Sequence, residues 1–391
     1  MSSAGDGFDV EGVRSRFTVL REGDFAFLDA PGGSLVPDEV ADAIAEATRI
    51  ASANMGGFYP TSQRVTKIQS DARVAGAAFM GGEPENIVLG PNMTTINFAL
   101  TRAAARDFAE GDEIIVTALD HDGNVAPWRE LARDRGLVLK TAGLTDDLRL
   151  DLDSVRELVT DRTRVIAFPW ASNAVGTVTP AKELCDLAHS VGALAWVDAV
   201  HYAAHRAISA REIGADVLLC SPYKFAGPHL GMAHVDPAVA SAWRAYKVGP
   251  REDYPLGSRF ETGTQPYELL AGLLVTFRYL ESIGGLSAIH AHEEALAARM
   301  LARLPEEVTV YGPALEHRVP TFLIDVPGTP AIDVARRLAE RGVGVWHHDS
   351  WYAMSLRPWL TAPPETVRVG IGHYNSEADV DRLADELAAM V

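Results

Sequence analysis

Cysteine is scarce in this sequence, since only Cys185 and Cys220 occur among its 391 residues. Two cysteines cannot build the disulfide framework of a small secreted protein, so they favour a reducing compartment. Basic side chains are also outnumbered, with 35 lysines and arginines against 53 aspartates and glutamates and a net charge of −18. This balance argues against nucleic acid or an anionic membrane as the main partner, although a local pocket for one small phosphate remains compatible with it.

Long apolar runs are missing as well. No stretch approaches the roughly 20 uninterrupted apolar residues of a spanning helix, and residues 1–30 lack the cationic start and apolar run of a signal peptide. We therefore expect a cytoplasmic protein. The hydrophobic fraction of 47% and the charged fraction of 23% are typical of a globular chain.

Short apolar runs alternate with amphipathic helical stretches through the middle of the chain, which predicts an α/β fold with a mainly parallel seven-stranded sheet covered on both faces. The predicted strands are 86–89, 113–117, 137–140, 164–169, 193–198, 217–221 and 232–235, and the predicted helices between them are 94–109, 124–135, 152–158 and 181–190.

The length predicts two domains of unequal size. We expect a large domain over 31–265, a small C-terminal α/β domain over 266–391, and an N-terminal segment, 1–30, that packs with the small domain. The predicted elements after the large domain are helices 269–283, 287–304, 332–341 and 376–389 and strands 321–326, 344–346 and 366–370. The loop 247–266 is rich in Gly and Pro and is expected to cross a domain or subunit boundary.

Lys224 follows an apolar strand in the segment Cys220-Ser-Pro-Tyr-Lys224. Ligands bind at the carboxyl ends of strands in open α/β sheets, and a lysine there can act as an amine nucleophile toward a carbonyl. An isolated Ser-x-x-Lys would more often contain a solvated surface lysine. The residues described next favour the first interpretation.

Asp198 ends the predicted strand 193–198, and a buried carboxylate there needs a cation or hydrogen bonds. Pyridoxal 5′-phosphate (PLP) supplies such a cation, because its pyridine nitrogen stays protonated beside an anion. The alternative is that Asp198 is a helix N-cap after the strand.

Two further segments follow apolar strands. His121, in Asp120-His-Asp-Gly-Asn124, is placed to lie over an aromatic cofactor as an acid or base, or else is a histidine in a polar turn. The segment Gly90-Pro-Asn-Met-Thr94 precedes a helix, so the free N–H groups near Asn92, Met93 and Thr94 favour a phosphate. An ordinary capped helix start is the alternative.

Taken together, these residues resemble the class V aminotransferase family of fold-type-I PLP enzymes, most closely the cysteine desulfurase and selenocysteine lyase branch. The resemblance runs from Phe27-Leu-Asp-Ala-Pro-Gly-Gly33 to His373-Tyr-Asn-Ser376. It implies that Lys224 forms the Schiff base with PLP, that Asp198 pairs with the pyridine nitrogen and that His121 stacks on the ring.

The resemblance also implies roles for a wider set of residues and a homodimer with shared active sites. Two positions depart from the family pattern, because His201 replaces a glutamine beside the phenolic oxygen and Tyr223 replaces a histidine. The other implied residues are Ser221 at the phosphate, Asn173 beside the phenolic oxygen and the substrate, Gly263 and Thr264 reaching the neighbouring subunit's phosphate, and Arg368 at the substrate α-carboxylate.

One segment lacks what a cysteine desulfurase requires. The stretch 342–352 contains no cysteine to accept sulfur, and Trp346 stands where the motif has an arginine. An arginine expected near 54–57 is absent too. We expect Trp346 and the aromatic, histidine-rich loop 347–352 to shape a substrate pocket, although a hydrophobic cover without catalytic duty is the alternative.

These residues predict an enzyme that acts on an amino acid through an external aldimine and a quinonoid, with no metal. The first-ranked reaction is β-elimination with C–S bond cleavage of a cysteine-derived substrate, without a persulfide. The alternatives are a class V aminotransferase, an epimerase or a decarboxylation-linked deaminase of specialised metabolism. A non-catalytic protein of the same fold is disfavoured, because both Lys224 and Asp198 are present.

Overall fold

The computed structural model describes residues 8–249, 253–348 and 351–391. Parts of three predicted segments lie outside the described residues, namely 1–7 of the N-terminal segment, 250–252 of the loop 247–266 and 349–350 of the loop 347–352. The strands are β1 (Ala26–Phe27), β2 (Ile87–Gly90), β3 (Glu113–Thr117), β4 (Val138–Ala142), β5 (Thr163–Pro169), β6 (Leu194–Asp198), β7 (Val217–Cys220), β8 (Gly231–Val235), β9 (Thr309–Tyr311), β10 (Thr321–Asp325), β11 (Val343–Gly344), β12 (Trp346–His348) and β13 (Thr366–Gly370).

The helices alternate with these strands in the first two thirds of the chain. They are α1 (Val10–Arg14), α2 (Thr18–Arg21), α3 (Asp38–Ile50), α4 (Pro60–Met80), α5 (Met93–Ala104), α6 (Asp122–Arg135), α7 (Leu152–Leu158), α8 (Ala181–Ser190), α9 (Ala210–Ile213), α10 (Pro237–Ala240), α11 (Tyr267–Ser282), α12 (Gly285–Arg303), α13 (Ala331–Glu340) and α14 (Glu377–Ala388).

The large sheet has seven strands in the order β2-β8-β7-β6-β5-β3-β4. Strand β8 runs antiparallel to both of its neighbours, and the other neighbours pair in parallel. The predicted mainly parallel seven-stranded sheet is therefore confirmed. Because parallel strands are buried on both faces, their sequences are continuous apolar runs, as in Val-Leu-Leu-Cys of β7.

Helices cover the large sheet on both faces. Helices α5 and α6 contribute to one apolar cluster, in which the rings of Trp128 and Trp196 meet edge to face at 4.9 Å. The other cluster takes buried side chains from α4, α7, α8 and α11. These layers hold the carboxyl ends of the parallel strands at one edge of the sheet, where the site described below lies.

A second, antiparallel sheet has the order β12-β13-β10-β9 and packs with α12, α13 and α14. The N-terminal residues join this region, since β1 pairs in parallel with β11 and Arg14 forms an ion pair with Asp379 at 2.9 Å. The division of the chain at residues 30 and 265 stays a proposal.

Several observed bounds differ slightly from the predicted ones. The predicted helix 94–109 begins at Met93, because Asn92 caps it by accepting from the N–H of Thr95, and its regular part ends at Ala104 before a 3₁₀ turn. The predicted strand 344–346 is two short strands, because the chain changes sheets at Val345: β11 pairs with β1, whereas β12 pairs with β13.

Among the described residues, no single helix is long and apolar enough to cross a membrane. Helices α11 and α12 meet the length and composition criteria only as a pair, and that pair is bent by 65°. The same part of the chain contains no group of three or more side chains that could hold a metal ion.

Candidate active site

A cavity with about 570 Å³ of empty space opens at the carboxyl ends of β3, β5, β6 and β7. Ten residues that were predicted from the sequence line it, drawn from five separate segments that end or follow strands β2, β3, β5, β6 and β7. The lining residues are Asn92, Met93, Thr94, His121, Pro169, Ala171, Asn173, Asp198, Val200, His201, Ser221, Tyr223 and Lys224. We refer to this cavity as the pocket.

Lys224 lies in a 3₁₀ turn directly after β7. Its ammonium group donates to the carbonyl oxygen of Pro31 and, at 3.3 Å, to that of Gly32. Burial and the nearby Arg368 guanidinium lower the pKa of Lys224 to about 7. A lysine with this pKa is partly unprotonated at neutral pH and can therefore act as a nucleophile or a base.

Asp198 ends β6 and is 4% exposed. Its Oδ1 accepts from the N–H of Val200 at 2.9 Å, and burial raises the pKa of Asp198 to about 7. A carboxylate in this position is stabilised in its charged form by a cation placed beside it in the pocket. The protonated pyridine nitrogen of PLP meets that requirement, so this residue fits the cofactor.

His121 caps helix α6, because its Nδ1 accepts from the N–H of Gly123 at 2.8 Å. Burial, reinforced by Lys224, lowers the pKa of His121 to about 4, so the ring is neutral at pH 7 and carries its proton on Nε2. The preceding Asp120 is held by Thr117 and Asn124 through hydrogen bonds of 2.8 Å. These contacts fix the turn that presents the His121 ring to the pocket.

The N-terminus of α5 forms another wall of the pocket. Asn92 caps the helix, and Met93 and Thr94 begin it with backbone N–H groups that have no partner within the helix. The start of β8 comes so close that a Cβ on Gly231 would lie 2.2 Å from the backbone carbon of Asn92. Only glycine permits this approach, and the resulting cradle suits a phosphate group.

Two buried polar atoms at the pocket have no partner within the described part of the chain. They are Oδ1 of Asn173 and Nδ1 of His201. A buried polar atom without a hydrogen bond is costly, so the Asn173 oxygen indicates a polar ligand in this cavity. Tyr223, which was predicted in place of a histidine, stacks on His229 with ring centroids 5.1 Å apart.

Arg368 lies on β13 and is 4% exposed. Its Nη2 donates to Oδ1 of Asp29 at 2.9 Å, and its Nη1 donates to the carbonyl oxygen of Asn173 at 3.3 Å. The guanidinium lies 5.0 Å from the ring centroid of Tyr352. Asp29 and Tyr352 were not selected individually from the sequence, although the Tyr352 loop was expected to shape the pocket.

Tyr352 also stacks on His121, with centroids 5.9 Å apart and an angle of 13° between the rings. The Tyr352 side chain is buried, and burial raises its pKa to about 12. An aromatic hydroxyl side chain thus lies between the predicted cofactor histidine and the predicted carboxylate-binding arginine.

Four predicted residues are not in the lining of the pocket, namely Arg368, Trp346, Gly263 and Thr264. Trp346 is 47% exposed and faces Arg368 across the β12–β13 ladder, so both side chains are on the same face of the small sheet. Gly263 and Thr264 are exposed and line a different cavity, together with Asn54 and Tyr267. Within this chain the structure does not bring Gly263 and Thr264 to the pocket.

Both cysteines are fully buried, Cys185 in α8 and Cys220 in β7. Burial raises the pKa of Cys185 to about 12 and raises that of Cys220 further above the usual range of a thiol. Neither side chain lines the pocket. A buried thiol of this kind is a poor nucleophile.

Comparison with known proteins gives consistent matches over nearly the whole chain. Residues 26–383 match the family model described as aminotransferase class V. A probable cysteine desulfurase from Halobacterium salinarum is 32% identical over 96% of this chain and 95% of that protein. An aminotransferase-like protein from Gibberella zeae is 31% identical over 96% of this chain and 97% of that protein.

The fold has a close counterpart among solved structures. The apo structure of a cysteine desulfurase from Thermococcus onnurineus superposes with a TM-score of 0.91 at 28% identity, covering 99% of this chain and 98% of the other. The predicted fold-type-I architecture is thereby confirmed.

Proposed function

We propose that this chain, which belongs to the aminotransferase class V family and is a PLP-dependent enzyme, cleaves the C–S bond of a cysteine-derived amino acid by β-elimination without a protein persulfide. When bound, PLP supplies an electron sink for charge that develops at the substrate Cα. In this proposal Lys224 holds the cofactor covalently and Asp198 holds its ring nitrogen in the protonated form. The N-terminus of α5 and Ser221 hold its phosphate.

Lys224 is also proposed as the base. Its Nζ would take the proton from the substrate Cα, and its pKa of about 7 suits that transfer at neutral pH. The Cβ–S bond then breaks with its electron pair going to sulfur, which leaves as a thiolate. Water converts the remaining three-carbon unit into pyruvate and ammonium, so the reaction needs no oxidant or reductant.

The leaving group explains why a strong acid is not required. A thiol has an ordinary pKa of about 8.5, so a thiolate departs with little help from a proton donor. His121 is neutral, and its Nε2–H can donate a hydrogen bond but is a weak acid. Its proposed task is to stack on the cofactor ring and orient it.

Substrate binding is assigned to Arg368 and Asn173, with Trp346 at the open side. Asp29 already occupies one side of the Arg368 guanidinium, whereas Nε of Arg368 is buried without a partner in the described ranges. We propose that the substrate carboxylate binds the remaining donor positions, close to the Asn173 side chain. A guanidinium matches the two oxygens of a carboxylate in geometry.

One observation carries the choice of elimination over desulfuration: the group beside His121 and Arg368 is the Tyr352 phenol, while both thiols are buried away from the pocket. A phenol cannot carry sulfane sulfur, but elimination needs no sulfur acceptor. The relatives named cysteine desulfurases share the fold and the family, and the proposal differs from their printed names in this one step.

Product analysis with a panel of amino acids and cysteine S-conjugates tests the proposal. We expect pyruvate, ammonium and thiol in equal amounts from at least one S-conjugate. Alanine together with a protein persulfide would overturn the proposal in favour of desulfuration. A keto acid retaining the substrate side chain, a racemised substrate or released carbon dioxide would instead favour an aminotransferase, an epimerase or a decarboxylation-linked deaminase.

We also propose a cytoplasmic homodimer in which Gly263 and Thr264 reach the phosphate of the partner subunit. Support comes from the exposure of these two residues and from the apolar side chains of Phe58 and Val248, which are 97% and 87% exposed. Exposed apolar side chains are typical of an interface, and Val248 lines the same cavity as Gly263 and Thr264. Sedimentation of the purified protein should give twice the chain mass of 42.1 kDa, and a monomer would contradict the proposal.

A further inference from the structure

His201 connects the pocket to the small sheet. Its ring lines the pocket, and its Nε2 lies 2.8 Å from the hydroxyl oxygen of Thr321 at the start of β10. The Nδ1 atom is buried and has no partner among the described residues. A hydroxyl can either donate or accept, so Thr321 alone does not determine which ring nitrogen carries the proton.

A second buried ring stands beside it. His205 meets His201 edge to face, with centroids 5.2 Å apart. The Nδ1 atom of His205 lies 2.7 Å from a carboxylate oxygen of Glu293 on α12, and the two side chains are 2% and 1% exposed. An ionised Glu293 carboxylate only accepts, so His205 then carries a proton on Nδ1, and in the neutral ring the buried Nε2 keeps a lone pair and has no partner among the described residues.

The two rings are complementary in one arrangement of protons. If Thr321 donates to Nε2 of His201, then His201 carries its proton on Nδ1, and the adjacent His205 ring has its lone pair on Nε2. The two nitrogens make no hydrogen bond with each other in the described structure, so the proton on His201 and the lone pair on His205 attract each other electrostatically, across rings whose centroids are 5.2 Å apart. In this arrangement the Glu293 carboxylate determines the His201 tautomer through His205.

Charged and titratable groups surround the His201 ring. Lys224 and His121 face it from the pocket and Arg368 interacts with it electrostatically, and burial together with His205 and these groups lowers the pKa of His201 well below its usual value. His201 is therefore neutral and has a single proton to place.

Charged and titratable groups also surround His205. His290 and His373 lie close enough to His205 to interact with it electrostatically, and Arg206 interacts with His290. Burial raises the pKa of Glu293, and His205 opposes that change. The carboxylate is thus the one acidic group in direct contact with this pair of rings within the described ranges.

We propose that His205 and Glu293 are positioning residues that set the tautomer of His201 and, through it, the electrostatic environment of the bound cofactor. This inference rests on the proposed placement of PLP beside His201. The contact that would influence the cofactor lies outside the pocket, where the segment after β6 packs against helix α12.

The test uses the holoenzyme without substrate and follows the absorption of bound PLP as a function of pH. Glu293→Gln keeps the shape but removes the charge and adds an amide N–H that can donate, so Nδ1 of His205 is no longer required to carry the proton. We expect it to move the midpoint of the absorption change by about half a pH unit or more, as for directly coupled groups. His201→Gln should abolish the coupling, so adding Glu293→Gln to that variant should give little further shift.

Tyr279→Phe is the matched control, because it removes a buried 2.8 Å hydrogen bond to His373 without touching His201 or His205. It should leave the midpoint unchanged. A Glu293→Gln protein that folds with an unchanged midpoint would overturn the proposal, as would an equal shift in the presence and absence of His201. If Glu293→Gln does not fold, Thr321→Val can be used instead, because it removes the hydroxyl that contacts Nε2 of His201. An unchanged midpoint in that variant would also overturn the proposal.

Failure of the proposed function can be distinguished from failure of this inference. If borohydride does not attach the cofactor to Lys224, the proposed site is wrong. The His201 tautomer can then still be read in the protein without cofactor from the ring ¹⁵N resonances of labelled histidine. A proton on Nε2 of His201, or resonances that do not respond to Glu293→Gln, would refute the inference independently.

Discussion

The candidate site has two sides, here called walls: the lining of the pocket on the large sheet and, beside that lining, the small sheet around Arg368. They differ in how they hold their functional groups. The wall formed by the large sheet presents Lys224, Asp198 and His121 at successive strand ends, and all three line the cavity. The wall formed by the small sheet presents Arg368, which is already in contact with Asp29 and Tyr352. In the proposed function the first wall holds the cofactor and the second wall binds the substrate.

The proposed function assigns different tasks to the two walls. In that proposal the groups on the large sheet act on the cofactor and are needed whatever the substrate, whereas Arg368 on the small sheet binds the substrate. The Tyr352 phenol and the Trp346 indole lie near this arginine. Substitutions on the two walls should therefore affect different kinetic quantities.

The largest effect is expected from Lys224→Ala. The variant should lose covalent attachment of PLP and the proposed base together, and turnover should fall by about a thousandfold or more. Borohydride reduction followed by peptide mapping measures the attachment in the wild type. Lys182→Ala is the control, because Lys182 is an exposed surface residue paired with Asp186. A label on another lysine would show that Lys224 does not bind the cofactor covalently.

Asp198→Asn should be the next most damaging change. Removing the partner of a buried charge commonly costs about 3–5 kcal/mol, and we expect most of this cost to appear in kcat. Asp216→Asn is a matched control, because Asp216 is a buried carboxylate at the opposite end of the sheet, held by the N–H of Ala195 and by His189. Near-wild-type turnover in Asp198→Asn would mean that Asp198 serves only as a cap.

The difference in free energy of unfolding between the wild type and Asp198→Asn should depend on pH in the protein without cofactor. The pKa of Asp198 is about 7 in the folded chain and near 3.8 when unfolded, so between these values the folded state binds the extra proton. Wild-type stability should therefore fall, relative to Asp198→Asn, as pH rises from 4 to 7. Urea unfolding of both proteins at several pH values measures this difference. A difference in unfolding free energy that stays constant from pH 4 to 7 would contradict the prediction. Added PLP should reduce the pH dependence.

Arg368→Lys tests the second wall and should have a smaller effect. The lysine keeps the charge but cannot bind a carboxylate with two parallel hydrogen bonds, so KM should rise about tenfold to a hundredfold. The absorption of bound PLP should change little. Arg318→Lys is a suitable control, because that buried guanidinium donates to the carbonyl oxygen of Pro313 and lies away from the pocket. A fall in kcat with an unchanged KM would contradict this prediction and indicate that Arg368 acts in the chemical step.

The contrast between the walls also explains what could be predicted from the sequence. Strand ends follow from apolar runs and the polar residue after them, so Asp198 and Lys224 could be assigned to one edge of the sheet from local pattern alone. The pairing of Asp29 with Arg368 joins residues 339 positions apart and depends on how the sheets pack. No local pattern signals such a contact.

The same limit applies to the residues behind the pocket. His201 could be recognised as a departure from the family's glutamine, but its link to Glu293 arises only when α12 packs against the loop after β6. For a related reason, the sequence predicted one strand over 344–346 where the structure has the two strands β11 and β12. The change of sheet at Val345 is a property of the packed structure and leaves no signal in hydrophobic periodicity.

The smallest expected effect tests the central claim, chemistry without a persulfide, most directly. The double variant Cys185→Ala, Cys220→Ala removes every thiol in the chain, at a stability cost of about 1 kcal/mol per truncated buried group. Turnover of the preferred cysteine-derived substrate by this variant should stay within about twofold of wild type. A variant that folds and binds PLP yet loses all turnover, or a persulfide on either cysteine in the wild type, would contradict the account.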